Sequence, residues 1–171
     1  MSNLRLLNET LVTSTVSSVS LTNLFSENFD TYKMTLLYDH SAGNVLRTQM
    51  INSAGSVITD TNYDWSTYQL RAGGSFQHQR GQSDDEWRMS YEGTQGWNVT
   101  TYFFNPFSKS KYTFYLTQSS GYYGGAGLGH LGIKGIGVLK QTASMTGLKF
   151  TGVGSSIDSL SCRIYGLRVD T

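Results

Sequence analysis

Between Glu86 and Glu92 every second residue is large and apolar: Trp87, Met89 and Tyr91 alternate with Glu86, Arg88, Ser90 and Glu92. Successive side chains on an extended backbone point to opposite faces, so this period of two belongs to a half-buried strand and not to a helix. The same alternation runs through 32–38, where Tyr32, Met34, Leu36 and Tyr38 interleave with Lys33, Thr35 and Leu37. It returns in 111–118, beyond the only proline, Pro106, which marks a turn between that strand and one expected at 97–104. Further strands are expected at 4–7, 12–20, 45–51, 65–71, 133–140, 148–151 and 162–169, bounded by clusters such as Ser41-Ala42-Gly43-Asn44 and Ala72-Gly73-Gly74. Residue usage agrees, with five Ala and four Glu against nineteen Thr, nineteen Gly and twenty-two aromatics. Residues 23–30 leave room for one helical turn and no more. The expected fold is all-β, a single domain over 1–171 forming an antiparallel β-sandwich of jelly-roll type with eight to ten strands. No repeat of blade or solenoid length is visible.

Charged residues make up 15% of the chain, well under the roughly 25% of an ordinary domain. With a formal net charge of +1 there is no electrostatic footprint for nucleic acid or anionic lipid. No apolar run reaches the length of a membrane span. A single cysteine, Cys162, excludes an internal disulfide and a cysteine-rich zinc site, and its strand setting reads as a small buried hydrophobe. The opening residues lack the charged and apolar regions of a secretory signal, so synthesis in a cytoplasm is expected. In that setting the glycosylation patterns at Asn8 and Asn98 carry no function.

Several motifs point to chemistry and fall short of it. Gly127, Gly129 and Gly132 make a formal GxGxxG, yet a dinucleotide loop needs a helix directly after it, and more glycines follow at Gly135 and Gly137. His40, His78 and His130 show no two-ligand spacing, although a trimer would bring three copies of one histidine to an axis. Asp60 and Asp64 in one loop, with Asp84, Asp85 and Glu86 in another, supply hard oxygen ligands for calcium if the two loops meet. Paired carboxylates for glycoside chemistry would have to come from these acids and Glu92. No Gly-x-Ser-x-Gly elbow precedes a helix, so no enzymatic activity and no cofactor is expected.

The aromatics invite binding instead. In 97–104, Trp97, Val99, Thr101 and Phe103 share one face, while Asn98, Thr100, Tyr102 and Phe104 share the other, so rings stand on both. That strand is either buried on two sides or presents Tyr102 and Phe104 to a partner. Tyr122 and Tyr123, beside a run of glycines, form a second contact candidate. Leu4, Leu6 and Leu7 within 1–8 make an anchoring strand that extends a neighbour's sheet. Trp65, Trp87 and Trp97 are candidates for stacking on sugar rings.

The run Phe25-Ser26-Glu27-Asn28-Phe29-Asp30-Thr31-Tyr32 resembles a pattern in small virion proteins of tailed bacteriophages, especially marine and cyanobacterial ones, where it leads into an early core strand. Ile157 through Arg168, ending Ile164-Tyr165-Gly166-Leu167-Arg168, is similar to the closing strand of the same proteins, and Asn62-Tyr63-Asp64-Trp65 sits where they carry an Asn-Tyr-x-Trp/Tyr strand. The resemblance implies a jelly-roll virion component, decorating the capsid or associated with the tail fibre. Its partners would be other virion proteins and further copies of itself, with no nucleic acid. The alternative is a receptor-recognition module that stacks host surface glycans, and a lone hydrolase is the third reading.

Overall fold

A computed structural model describes residues 4–40, 45–91, 95–123, 129–154 and 156–167. The cluster Ser41-Ala42-Gly43-Asn44, residues 124–128 of the glycine run, Glu92 and Arg168 lie outside the described residues.

Among the described residues there are twelve strands and no helix, so the all-β antiparallel sandwich expected from the alternation is the observed architecture, with more strands than the eight to ten expected. They are β1 (Leu4–Val12), β2 (Ser18–Leu21), β3 (Thr31–His40), β4 (Leu46–Asn52), β5 (Tyr63–Arg71), β6 (Gln77–Asp84), β7 (Trp87–Arg88), β8 (Gln95–Phe104), β9 (Thr113–Tyr123), β10 (Gly129–Leu139), β11 (Met145–Gly152) and β12 (Ile157–Leu167). An eight-stranded sheet runs β1-β12-β3-β8-β9-β10-β5-β6 and a four-stranded sheet β2-β11-β4-β7. Only the connections β5–β6, β8–β9 and β9–β10 join neighbours within a sheet; every other connection passes from one sheet to the other. That crossing ties both layers around one core.

Trp87, Trp97, Tyr32, Tyr38, Tyr63, Phe103 and Phe150 fill that core and are wholly buried. The buried phenols keep their hydroxyls bonded, which offsets the cost of taking a polar group out of water. Tyr63 accepts from the Met50 N–H at 3.0 Å and donates to the Ile58 carbonyl at 3.1 Å, while Tyr32 accepts from and donates to the backbone of Ser26. Burial pushes the Tyr38, Tyr63 and Tyr115 hydroxyls far above their ordinary pKa.

Three expectations need correction. The 86–92 segment pairs with β4 only over Trp87–Arg88, because the polar positions Glu86 and Ser90 are themselves buried and the chain leaves the sheet to place them. Residues 23–30 hold no helical turn; Asn23 takes a φ of 57°, and Leu24, Phe25 and Phe29 fold inward as an irregular plug. The sequence Gln77-His78-Gln79-Arg80-Gly81-Gln82-Ser83-Asp84, with no apolar side chain, forms the edge strand β6 unanticipated. Backbone pairing to β5 alone places it there, and its charge and polarity suit an edge that must not recruit other strands.

Candidate functional site: the outer face of the eight-stranded sheet

One face of the large sheet covers the core and the other faces solvent. On β9 the inward residues are Thr113, Tyr115, Thr117 and Ser119, and the outward ones are Phe114, Leu116, Gln118, Ser120 and Tyr122. Over its first half this strand therefore turns its more apolar side to water. The buried threonines satisfy one another: Thr101 and Thr117 share a hydrogen bond of 2.8 Å, and Thr117 also donates to the Thr100 carbonyl at 3.3 Å.

The registers align the outward residues in rows across the strands. One row reads Leu6, Tyr165, Lys33, Tyr102, Leu116, Ile136 and Ser66. Beside it run Leu4, Leu167, Thr31, Phe104, Phe114, Val138 and Asp64. Across β8, β9 and β10 they form an apolar band, in which Phe114, Leu116 and Ile136 are 45%, 46% and 60% exposed, while Thr31 and Lys33 on β3 separate it from Leu4, Leu6, Leu167 and Tyr165 on β1 and β12. A depression of about 530 Å³ opens within it, walled by Phe104, Phe114, Leu116, Ile136 and Val138. At its end Asp64 accepts from Lys140 Nζ and from the Ser83 N–H, both at 2.8 Å, and the Lys140 bond in particular holds its carboxyl below the ordinary range.

The next two rows are more polar, with Leu37 and Leu70 the exposed apolar residues on them. Arg163, Thr35, Thr100, Gln118, Lys134 and Tyr68 form one, and Ser161, Leu37, Asn98, Ser120, Gly132 and Leu70 the other. Two shallow depressions of about 320 and 350 Å³ lie on them, meeting at Asn98 and Thr100. Ser120 Oγ lies 2.8 Å from His130 Nε2 at the margin.

Of the residues expected to meet partners, Tyr102 and Phe104 stand in the band, and Leu4 and Leu6 are exposed on the same face three strands away, beyond Thr31 and Lys33. Tyr122 is exposed but stands at the far end of β9, and Tyr123 packs partly against the core. Leu7 is a correction: a register shift between Leu6 and Asn8 turns it toward the core, away from any partner. β1 itself is paired with β12 along its length, leaving one edge open. The tryptophans are corrected as well. Trp87 and Trp97 are fully buried and Trp65 is 5% exposed, so none offers a ring face to a sugar. Their indoles are structural: Trp87 donates to the Val138 carbonyl at 3.2 Å, and Trp65 donates to Asp84 Oδ2 at 3.0 Å.

The calcium candidates are engaged elsewhere. Asp84 bonds Trp65 and the Asp85 N–H, Asp64 bonds Lys140, and among the described residues no group of three or more metal-ligating side chains gathers. Glu86 is instead a buried carboxylate, 2.8 Å from Arg47 Nε and 3.7 Å from Arg88 Nε. Gly129 and Gly132 of the glycine motif lie in β10, so a strand stands where a dinucleotide loop requires a helix. Phe114, Leu116, Ile136 and Val138 were not anticipated as site residues. The available signal was that 111–118 carries large apolar side chains at both parities, as 97–104 does.

No family model matches the chain, and no curated protein matches it either. Among solved structures it is similar to an exo-inulinase from Aspergillus awamori, 11% identical over 98% of this chain and 30% of that one, with a TM-score of 0.46. The CspB protease of Clostridium perfringens gives 9% identity, 98% and 26% coverage and a TM-score of 0.30. The CBM2 module of the evolved Dit of Lactobacillus casei BL23 phage J-1 gives 8%, 90% and 70%, with a TM-score of 0.31. The chain thus spans less than a third of the first two proteins, and likenesses this distant carry no argument about function.

Proposed function

We propose that this chain is a non-enzymatic structural component of a tailed-phage particle, working as an oligomer whose copies pack through the apolar band of the large sheet. The carrying observation is that band: Tyr102, Phe104, Phe114, Leu116, Ile136 and Val138 lie side by side on an outer face, where isolated apolar side chains are ordinary but a contiguous set marks an interaction surface. A second copy is the favoured occupant because a net charge of +1 gives little repulsion between copies, and because Leu4 and Leu6 give the same sheet face a further apolar area at the open edge strand β1. The particle assignment rests on the resemblance carried by residues 25–32 and 157–168.

The non-enzymatic reading has its own support. The Ser120–His130 pair stands on an open sheet face where, among the described residues, the neighbouring backbone N–H groups are committed to the ladders and not to an oxyanion.

Two measurements test the proposal. Sedimentation of the purified chain should show an oligomer that dissociates when Leu116→Lys and Ile136→Lys are combined, with the thermal midpoint retained; a monomeric parent overturns the copy-to-copy interface. Mass spectrometry of purified particles, separated into heads and tails, should find the chain in one fraction; absence from both overturns the particle reading.

A further inference from the structure

We propose that the polar trough beside the apolar band binds a linear oligosaccharide bearing carboxylate groups. The trough crosses the outer face from Arg163 on β12 to Tyr68 on β5. Six strands spaced about 4.8 Å apart give it a length of roughly 24 Å, which suits a short chain of sugars and not a single one.

Its lining fits that ligand. Asn98 and Gln118 point their amides outward with no partner among the described residues, and each amide both donates and accepts, as sugar hydroxyls do. Lys134 is the unpaired cation of the trough, whereas Arg163 is neutralised by Glu9 at 2.7 Å. With Arg163 paired, the charge left over in the two depressions is that of Lys134, and no carboxylate is among their lining residues, so the charge calls for an anionic ligand. Tyr68 stands beside Lys134 and is 47% exposed, its ring tilted against that of Phe76 at 5.7 Å between centroids, so the pair forms an aromatic end wall to the trough.

The floor supplies an independent observation. On the inner side of β10, a Cβ on Gly135 would fall 2.9 Å from Thr117, and one on Gly137 would fall 2.1 Å from Tyr115, so packing requires glycine at both. Gly132 points outward, and a Cβ there would meet Leu70 at an ordinary 3.8 Å. The fold has room for a side chain at Gly132, and glycine weakens a strand. Its effect is to keep the trough open between Ser120 and Leu70. An extended peptide would recruit a sheet edge through its backbone, and here the feature lies across a face whose backbone is already paired.

This inference is independent of the particle assignment and is tested on the purified full chain. Calorimetric titration with an oligogalacturonate hexamer should show binding at least about tenfold tighter than with a neutral xylo-oligosaccharide of equal length. Gly132→Val fills the floor with a residue that favours strands, and should abolish binding while the thermal midpoint holds or rises. Lys134→Gln should remove the preference for the acidic sugar, and Lys109→Gln, the loss of an exposed cation in the loop between β8 and β9, should leave binding unchanged. Undiminished binding by a folded Gly132→Val variant overturns the proposal, as does the absence of hexamer binding. Tighter binding of a single-stranded oligonucleotide than of the hexamer overturns it too, by pointing to phosphate recognition.

Discussion

The ring of Phe29 lies against the backbone of Gly166 so closely that a Cβ added to the glycine would fall 2.7 Å from it. The contact joins the irregular plug before β3 to the closing strand β12. Phe29 also makes an edge-on contact with Tyr32, the register partner of Gly166, at 5.8 Å between centroids, and Tyr32 in turn meets Phe25 edge-on at 4.8 Å. The ring cannot retreat without disturbing that stack. Gly166→Ala should therefore destabilise the fold by about 1–3 kcal/mol, the usual cost of overpacking, read from urea unfolding. Phe29→Leu should relieve part of the clash, so the double variant should lose less than the sum of the singles. Strict additivity would show that the two residues do not press on each other.

Cys162 sits on the inner face of β12, wholly buried, and burial pushes its thiol up to about 12. A thiol in that state is protonated at neutral pH and shielded from reagents. Labelling with a chromogenic disulfide at pH 8 should proceed only at the rate of unfolding and become fast in denaturant. Rapid labelling of the native chain would place the cysteine at the surface.

Where the alternation in the sequence coincides with one wet and one dry face, the strand is legible: Tyr32, Met34, Leu36 and Tyr38 on β3 are all buried, as their spacing requires. The pattern misleads where tertiary context assigns the faces. On β9 the inner face takes Thr113, Tyr115, Thr117 and Ser119 while Phe114 and Leu116 turn outward and create the band, so neither size nor apolarity along 111–118 says which parity is dry. At 86–92 the buried partner is a carboxylate, and no sequence period announces that Glu86 will sink between Arg47 and Arg88. The tryptophans illustrate the limit for binding sites, since a large ring is equally suited to a core and to a sugar, and only the register decides.

The hydroxyl pair beneath the band makes its own prediction. Thr101 and Thr117 are buried and bonded at 2.8 Å, and the other contact of Thr101 is a weak one to Met89 Sδ at 3.7 Å. Thr117→Val leaves the Thr101 hydroxyl with the sulfur alone, at a cost of about 1–2 kcal/mol. Replacing both by valine removes donor and acceptor together while keeping volume. The double variant should be no less stable in urea than the single one; a larger loss would show that the threonines do more than satisfy each other.

Glu86 should give the fold a pH dependence opposite to that of most carboxylates. Burial raises its pKa from the ordinary 4.5 to about 7, more than the neighbouring Arg47 and Arg88 lower it. The arginines are near yet poorly aligned: Arg47 Nε is 2.8 Å away, but neither it nor Glu86 Oε2 completes a hydrogen bond, so desolvation is not fully offset. Between pH 4.5 and about 7 the folded chain holds a proton on Glu86 that the unfolded chain has released, so stability falls as pH rises through this window. The full effect is on the order of 3 kcal/mol. Glu86→Gln cannot ionise, and Arg47 and Arg88, each about a third exposed, can turn their charge to water when the carboxylate is gone. Urea unfolding at half-unit intervals from pH 4 to pH 8 should therefore show the parent losing stability relative to Glu86→Gln across that window. Parallel profiles would mean that Glu86 is ionised throughout, held by its arginines as a true ion pair.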